Sequence, residues 1–279
     1  MIIFTILALS VIGTTLLTVF TDVCKSWDKA WILILIFIGF VICGIILYLL
    51  FLLLLIVFSD SKKTEPKKFY TKTVKRTCEF VTQITRTHVH VKGYENLPKE
   101  NIFLFVQNNV SDYDPLISIW VFRAYDIIMI MKDSIAKVPM IGKGLKISGF
   151  LPIDRHNNRA TLKVFIKAIN YIKDKKTCVG IYPEGTRSET GELLPFRNGA
   201  FKIAEKSHCP IVITTIINTE HIKKRLLYAH TDVYLDIAGT LNYEDYKDLS
   251  SVELGDKIYQ IMKKSLDAMA PLKIEEKSK

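Results

Sequence analysis

The N-terminal part of the chain contains two long apolar runs, and both predict membrane-spanning helices. The first run is Ile2–Phe20 and the second is Trp31–Phe58, and neither contains a charged residue. A helix needs about 20 apolar residues to cross the hydrocarbon core of a bilayer. A cleaved signal peptide is the alternative for the first run, but no basic residue follows Met1 and the run leads to a second, longer span. We therefore expect residues 1–58 to form a two-helix transmembrane anchor.

The stretch after the second run is strongly basic. Residues 59–76 carry Lys62, Lys63, Lys67, Lys68, Lys72, Lys75 and Arg76 against the acidic Asp60 and Glu65. Basic residues this close to a span stay on the cytoplasmic side and attract anionic lipid head groups, although a solvated linker explains any single lysine equally well. We therefore expect a basic juxtamembrane segment and linking helix over 59–86. The protein would be integral to the cell membrane, with residues 87–279 as a domain on its cytoplasmic face.

Beyond residue 86 the hydrophobic pattern changes to short strands that alternate with helices. Residues 88–91 alternate apolar and polar side chains, as a half-buried strand does. Continuous apolar runs, typical of buried strands, occur at 102–106, 127–131, 178–182 and 211–217. Apolar residues have the spacing of a helix at 159–173, 199–206 and 252–269. This order predicts an α/β fold in which a largely parallel central sheet is flanked by helices and preceded by the two transmembrane helices.

Charge and cysteine content narrow the classes of partner. The formal net charge of +10 would fit a protein that binds nucleic acid. The sequence has no nucleic-acid-binding motif, however, and its basic excess begins beside a membrane span, so a phospholipid surface is the more economical partner. The 5 cysteines contain no CxxC pair, which excludes a cysteine-based zinc site and fits reduced thiols in the cytosol.

Three of the predicted strands end in polar residues, and sites in such sheets form where loops leave the carboxyl ends of strands. The first of these strands is followed by NNVSDYD at 108–114, the second by Lys132 and a segment that reaches Arg155, and the third by YPEGTRS at 182–188. Residues five apart do not face each other on a helix. For residues 109 and 114 to touch, residue 109 must lie in the loop and residue 114 in the first helical turn.

The first segment resembles the His-x4-Asp motif of the glycerolipid acyltransferase family, the group of 1-acylglycerol-3-phosphate acyltransferases. Asn108, Ser111 and Asp114 match the motif, but the histidine position holds Asn109. Blocks similar to the rest of the family's set follow in the same order. They are GFLPIDR at 149–155, PEGTRS at 183–188 followed by Phe196, Arg197 and Gly199, and PIVI at 210–213 without a second proline that often occurs there. The ordered set is far more specific than any single block.

The resemblance implies that the protein transfers a fatty acyl group from acyl-CoA or acyl carrier protein to lysophosphatidic acid, which gives phosphatidic acid. It implies no metal and no cofactor beyond this acyl donor. The partners are then the donor thioester, membrane phospholipid and lysophospholipid, with no nucleic acid.

The resemblance also implies site residues. The residue at position 109 would take the proton of the acceptor hydroxyl, and Asp114 would orient it. The acceptor phosphate would be held by Glu184, Gly185, Thr186, Arg187, Arg155 and Lys132. Glycine lets the backbone approach a ligand, and the arginine fork grips a phosphate with two hydrogen bonds. Tyr113, Phe150 and Phe196 are candidates for the apolar mouth, whereas the histidines are scattered and only His156 lies within a block.

Asn109 puts catalysis in question, because an amide cannot take up a proton at physiological pH. Loss of a general base costs on the order of 10²- to 10⁴-fold in rate. Three explanations of Asn109 are open. It is an engineered substitution, or it is natural in a catalytically silent homologue that binds anionic lysophospholipid. In the third, Asp112, Asp114 or a histidine weakly replaces the missing base. A membrane-anchored domain that serves protein contacts is a further alternative, and it predicts no lipid dependence.

Overall fold

The structure, a computed structural model, describes residues 2–20, 30–59, 65–154, 157–226 and 228–274 and divides into two compact units. The first unit, Met1–Asp60, holds helices α1 (Ile2–Phe20) and α2 (Ala30–Phe58). Both helices contain a stretch that is long and apolar enough to cross a membrane, Ile2–Val19 in one and Trp31–Phe58 in the other. By length and composition they are therefore candidate membrane spans.

Helices α1 and α2 pack closely at two glycines. A Cβ atom on Gly13 would lie 3.0 Å from the ring of Phe40, and one on Gly44 would lie 2.9 Å from Ile6. Small residues let apolar helices approach each other in lipid, where packing replaces the hydrophobic effect as the driving force. This register makes the two helices an antiparallel pair.

The second unit, Ser61–Lys279, is built on a 7-stranded sheet. The strands are β1 (Thr87–Lys92), β2 (Leu104–Gln107), β3 (Ile127–Lys132), β4 (Leu151–Ile153), β5 (Cys178–Ile181), β6 (Ile211–Ile217) and β7 (Thr231–Leu241). Their order across the sheet is β1-β7-β6-β2-β5-β3-β4. Every neighbouring pair is parallel except β6 with β7. The predicted α/β fold with a largely parallel sheet is confirmed.

Helices precede, connect and follow the strands of this unit. They are α3 (Lys68–Ile84), α4 (Asp114–Val121), α5 (Asp133–Ala136), α6 (Ile141–Ile147), α7 (Asn158–Lys173), α8 (Lys202–Ser207), α9 (His221–Arg225) and α10 (Ser251–Met269). Two of the longer ones, α7 and α10, begin where the sequence supplies a cap. The Asn157 side chain accepts a hydrogen bond from the amide of Ala160 at 3.0 Å, and Ser250 forms a reciprocal capping box with Glu253.

The sequence pattern missed two strands. β7 has alternating buried and half-buried residues, and its outward-facing Asp232 and Asp236 interrupt the apolar run that marked the other strands. β4 spans 3 residues and contains Pro152, which makes it too short to produce a pattern. The predicted boundaries at residues 58 and 86 stay predictions, and residues 60–64 lie outside the described part of the chain.

Candidate active site

The loops that carry the predicted site leave neighbouring strands. β2 lies between β6 and β5 and is parallel to both, so the carboxyl ends of these three strands meet at one edge of the sheet. The side chain of Asn108 connects the end of β2 to the end of β6. Its Nδ2 donates to the carbonyl of Ile216 at 2.9 Å, and its Oδ1 accepts from the amide of the same residue at 2.8 Å. The segments after β2, β5 and β6 therefore form one surface.

Asp114 is a fully buried carboxyl group at the start of α4, as the spacing from residue 109 requires. Its Oδ2 accepts hydrogen bonds from the backbone amides of Val110 at 2.6 Å and Ser111 at 2.9 Å. Its Oδ1 accepts a short hydrogen bond from the hydroxyl of Thr219. Burial raises the pKa of Asp114 to about 7, although all three hydrogen bonds favour the charged form. The carboxyl group therefore fixes the loop that contains Asn109.

Asn109 is half-buried, and its backbone ties this loop to the segment after β5. Its amide donates to Oε1 of Glu184 at 2.8 Å, and its carbonyl accepts from the amide of Ser188 at 2.8 Å. The side-chain Nδ2 makes only a long contact of 3.5 Å with the carbonyl of Thr186. The side chain at position 109 is thus weakly held, whereas its backbone is fixed from both sides.

Glu184 lies inside this loop structure with 4% of its surface exposed. Besides the amide of Asn109, its carboxyl group accepts a hydrogen bond from the amide of Leu194 at 3.0 Å, through Oε2. Burial raises the pKa of Glu184 to about 7, against the effect of these two hydrogen bonds. These contacts give Glu184 a supporting role in the loop, and the phosphate contact predicted for it stays a prediction.

Gly185, Thr186 and Arg187 follow Glu184 and turn towards solvent. Gly185 has a φ of +71°, and a Cβ atom there would lie 2.7 Å from Nε of Arg197, so the turn requires glycine. Thr186 is exposed. Nη1 of Arg187 donates to Oδ2 of Asp112 at 2.6 Å, and the two side chains are 55% and 72% exposed. The guanidinium group is accessible to a phosphate, but Asp112 competes for it.

Lys132 and Arg155 are the two other basic contacts that the sequence predicts. Lys132 is the exposed last residue of β3 and pairs with Ile153 of β4, so it lies at a strand exit two strands away from β2. Arg155 lies outside the described residues, as does His156. Their predicted contact with a phosphate stays a prediction.

A cavity of about 160 Å³ lies beside Gly185. Its walls are mainly apolar, and its lining includes Ile130, Ile153, Phe165, Ile181 and Arg197. Of the aromatic residues proposed for the mouth, Tyr113 and Phe196 are half-buried. Phe150 is buried in the core with 3% exposure, so it does not lie at a mouth.

Comparison with known proteins agrees with this architecture. The model of the family described as Acyltransferase matches residues 88–217. A curated 1-acyl-sn-glycerol-3-phosphate acyltransferase of Borreliella burgdorferi is 29% identical over 170 residues, which cover 58% of this chain and 67% of the relative. Residues 88–217 form an Acyltransferase family domain.

Two further proteins show how far the similarity extends. The chloroplastic 1-acyl-sn-glycerol-3-phosphate acyltransferase BAT2 of Brassica napus is 31% identical over 176 residues, 62% of this chain and 50% of the relative. The chain thus spans only about half the length of that protein. The crystal structure of the 1-acyl-sn-glycerophosphate (LPA) acyltransferase from Thermotoga maritima superposes with a TM-score of 0.63 at 22% identity and covers 84% of this chain and 91% of that chain. This likeness establishes a shared fold.

Sequence reasoning missed two contacts in the candidate site. Thr219, which holds Asp114, immediately follows the predicted strand at 211–217 together with Asn218. Reading the exit of that strand in the same way as the others would have found it. The pairing of Asp112 with Arg187 carries no sequence signal, because the two residues lie 75 positions apart.

Proposed function

We propose that this acyltransferase-family protein binds lysophosphatidic acid and an acyl thioester at the exits of β2 and β5. Acyl transfer to give phosphatidic acid is the reaction of this site when position 109 carries a base. The observation that carries the proposal is the pair of backbone hydrogen bonds that places Asn109 against Glu184 and Ser188, at either end of the EGTRS segment. Residue 109 and Arg187 are thereby held on adjoining loops.

The reaction defines what the site must supply. The acceptor hydroxyl oxygen bonds to the carbonyl carbon of the thioester, the carbon–sulfur bond breaks, and the thiol leaves with a proton. The hydroxyl proton has to pass to a base in the same step. Asn109 cannot accept it, so we expect the chain with Asn109 to turn over on the order of 10²- to 10⁴-fold more slowly than one with a base there.

Arg187 is the proposed contact for the acceptor phosphate. Its planar fork offers paired donors that match phosphate oxygens, and its partner Asp112 is exposed, so the existing ion pair is weak. A phosphate would displace Asp112 from this fork. Gly185 and Thr186 would supply backbone around the phosphate, and Lys132 and Arg155 would add positive charge at neighbouring exits.

The proposed setting is the cytoplasmic face of the cell membrane. The second candidate span ends beside the lysine-rich segment, and basic residues next to a span favour the cytoplasmic side. Lysophospholipid would then reach the site from the inner leaflet. Acyl-CoA and acyl carrier protein, the proposed donors, would reach it from the cytosol.

A second function has a specific observation in its favour. Hydrogen bonds hold Glu184, Ser188 and the buried Asp114 in place while position 109 lacks a base, which is the pattern expected of a site that binds lysophospholipid without turnover. In that case binding of lysophosphatidic acid persists, and no acyl donor is consumed.

An acyl-transfer assay tests the two functions. It compares the purified chain with Asn109→His and with Asn109→Gln, which is the matched control. Lysophosphatidic acid is the acceptor, and acyl-CoA and acyl carrier protein donors are both supplied. Activity of Asn109→His at least about 100-fold above the other two proteins supports the acyltransferase site. Silence of all three with retained lysolipid binding supports the binding protein, and the absence of both activity and binding overturns the proposal.

A further inference from the structure

Three histidines and one aspartate form a cluster on the strand pair β1 and β7, outside the candidate active site. The strands pair in parallel, with His88 opposite Asp232 and His90 opposite Tyr234. Residues two apart on a strand point to the same face, so His88 and His90 share a side, and His230 and Asp232 do likewise at the start of β7. Folding thus brings together side chains that are 142 residues apart.

The carboxyl group of Asp232 lies among all three imidazole rings. Nε2 of His90 lies 2.9 Å from Oδ1, Nε2 of His230 lies 3.3 Å from Oδ2, and Nδ1 of His88 lies 3.9 Å from Oδ1. The rings of His88 and His230 stack with their centroids 5.0 Å apart. One ligand atom each from His88, His230 and Asp232 lies within 4.8 Å of the others.

We propose that His88, His230 and Asp232 bind a zinc ion, with His90 positioning the carboxylate. Two imidazole nitrogens and one carboxylate oxygen form a donor set that Zn²⁺ prefers, with bonds of about 2.0–2.2 Å and a water in the fourth position. Neighbouring ligand atoms in such a tetrahedron lie about 3.3 Å apart, so small side-chain rotations close the site. Magnesium and calcium favour sites built from oxygen ligands alone.

A fourth side chain supports the carboxylate of the cluster. Nε2 of His90 lies 2.9 Å from Oδ1 of Asp232, so its ring N–H can donate a hydrogen bond to the carboxylate. A group that holds a metal-binding carboxylate by hydrogen bonding sets its orientation and supports affinity. The ligand side chains are 62%, 53% and 37% exposed, which gives an ion direct access from solvent.

The position of the cluster indicates a structural role. β1 is the edge strand of the sheet and pairs with β7 alone, so an ion shared between His88 and Asp232 would fasten this edge. Nδ2 of Asn218 donates to the carbonyl of Asp232 at 3.1 Å, and the next residue, Thr219, holds Asp114. The zinc ion would therefore lie towards the end of the sheet at which the carboxyl ends of β2, β5 and β6 meet.

Zinc titration of the full chain tests this site. The protein is purified in detergent with a histidine-free affinity tag, stripped with a chelator and titrated with Zn²⁺ by calorimetry. We expect one Zn²⁺ per chain and a higher unfolding temperature with zinc, because an ion that binds only the folded state stabilises it. The double variant His88→Gln/His230→Gln should bind at least about 10-fold more weakly.

Two further variants make the result decisive. His208→Asn removes an exposed imidazole that stacks on Tyr243 and should bind zinc like the original chain. Asp232→Asn retains the shape of the side chain, and it carries the test if the double variant fails to fold. Absence of zinc binding by the original chain, equal affinity in all variants, or equally tight binding of Mg²⁺ would each overturn the proposal.

Discussion

The backbone amide of Asn109 donates a hydrogen bond of 2.8 Å to Oε1 of Glu184, which lies 75 residues further along the chain. The second oxygen of the same carboxyl group accepts from the amide of Leu194. One buried side chain thus connects the loop after β2, the turn after β5 and the segment that follows. The position of residue 109, and of any base placed there, depends on Glu184.

Glu184→Gln should destabilise this arrangement with little change in shape. Glutamine offers one oxygen and one NH₂ group, so one of the two backbone amides would face a donor instead of an acceptor. We expect the free energy of unfolding to fall by about 1–3 kcal/mol, measured by denaturant unfolding in detergent. Glu192→Gln, at an exposed position nearby, is the matched control, and equal stability of the two variants would contradict the role assigned to Glu184.

Asp112 should compete with the acceptor phosphate for Arg187. Asp112→Asn removes the charge that now pairs with the guanidinium group at 2.6 Å, so lysophosphatidic acid should bind up to about 5-fold more tightly, because exposed ion pairs contribute up to about 1 kcal/mol. Arg187→Ala should weaken binding and raise the acceptor KM in an Asn109→His background.

The control for this pair is Asp174→Asn, which breaks another exposed ion pair, with Lys176 at 3.3 Å. Its acceptor affinity should equal that of the original chain. Binding measured by calorimetry with lysophosphatidic acid in micelles provides the comparison. Unchanged affinity in both Asp112→Asn and Arg187→Ala would remove Arg187 from the phosphate site.

Gly185→Ala should damage the turn that carries Arg187. The backbone there has a φ of +71°, and the new methyl group would lie 2.7 Å from Nε of Arg197. A side chain in this conformation costs on the order of 1 kcal/mol or more, and Arg197 would have to move as well. We expect a lower unfolding temperature and weaker lysolipid binding. Gly239→Ala, whose Cβ would meet no atom within 4 Å, should change neither, and a neutral Gly185→Ala would show that the turn tolerates other conformations.

Hydrophobic patterning predicted the parts of the fold in which burial is nearly uniform. Every residue of β2, β5 and β6 is buried, and continuous apolar runs marked all three. The pattern did not predict β7, because the outward face of this strand carries Asp232, Tyr234 and Asp236. The pattern of a long half-exposed strand also depends on a partner strand that the sequence does not reveal. The helix start at Asp114 was predicted from the geometric requirement that it lie near residue 109.

The sequence identified the site segments better than the roles of their side chains. Glu184 and Arg187 stand in one motif, yet one faces inward to backbone amides and the other faces solvent. Motif spacing cannot distinguish these directions, because the turn at Gly185 separates them. The histidine cluster was missed for a related reason. Its members appear scattered until the pairing of β1 with β7 brings them together.

Asp114 should make stability depend on pH near neutrality. Burial raises the pKa of its carboxyl group in the folded protein to about 7, whereas the unfolded chain exposes the group and returns its pKa to about 4. The folded state therefore binds more protons than the unfolded state between about pH 4 and 7. The protonated carboxyl group makes its full contribution to stability below this window, and the contribution is lost as the pH rises through it. The free energy of unfolding changes by about 1.4 kcal/mol for each unit by which the folded and unfolded pKa values differ.

Asp114→Asn should flatten this dependence, since its amide stays neutral at every pH. The asparagine oxygen can still accept from the amides of Val110 and Ser111, and its NH₂ group can donate to the hydroxyl of Thr219, so the loop should be retained. Free energies of unfolding at pH 5, 6, 7 and 8 for the two proteins measure the difference. The pKa of Glu184 is also raised to about 7, so part of the decline should remain in the variant. Asp256→Asn on the exposed face of α10 should leave the original slope, and an identical slope in Asp114→Asn would mean that Asp114 is ionised in the folded protein throughout this range.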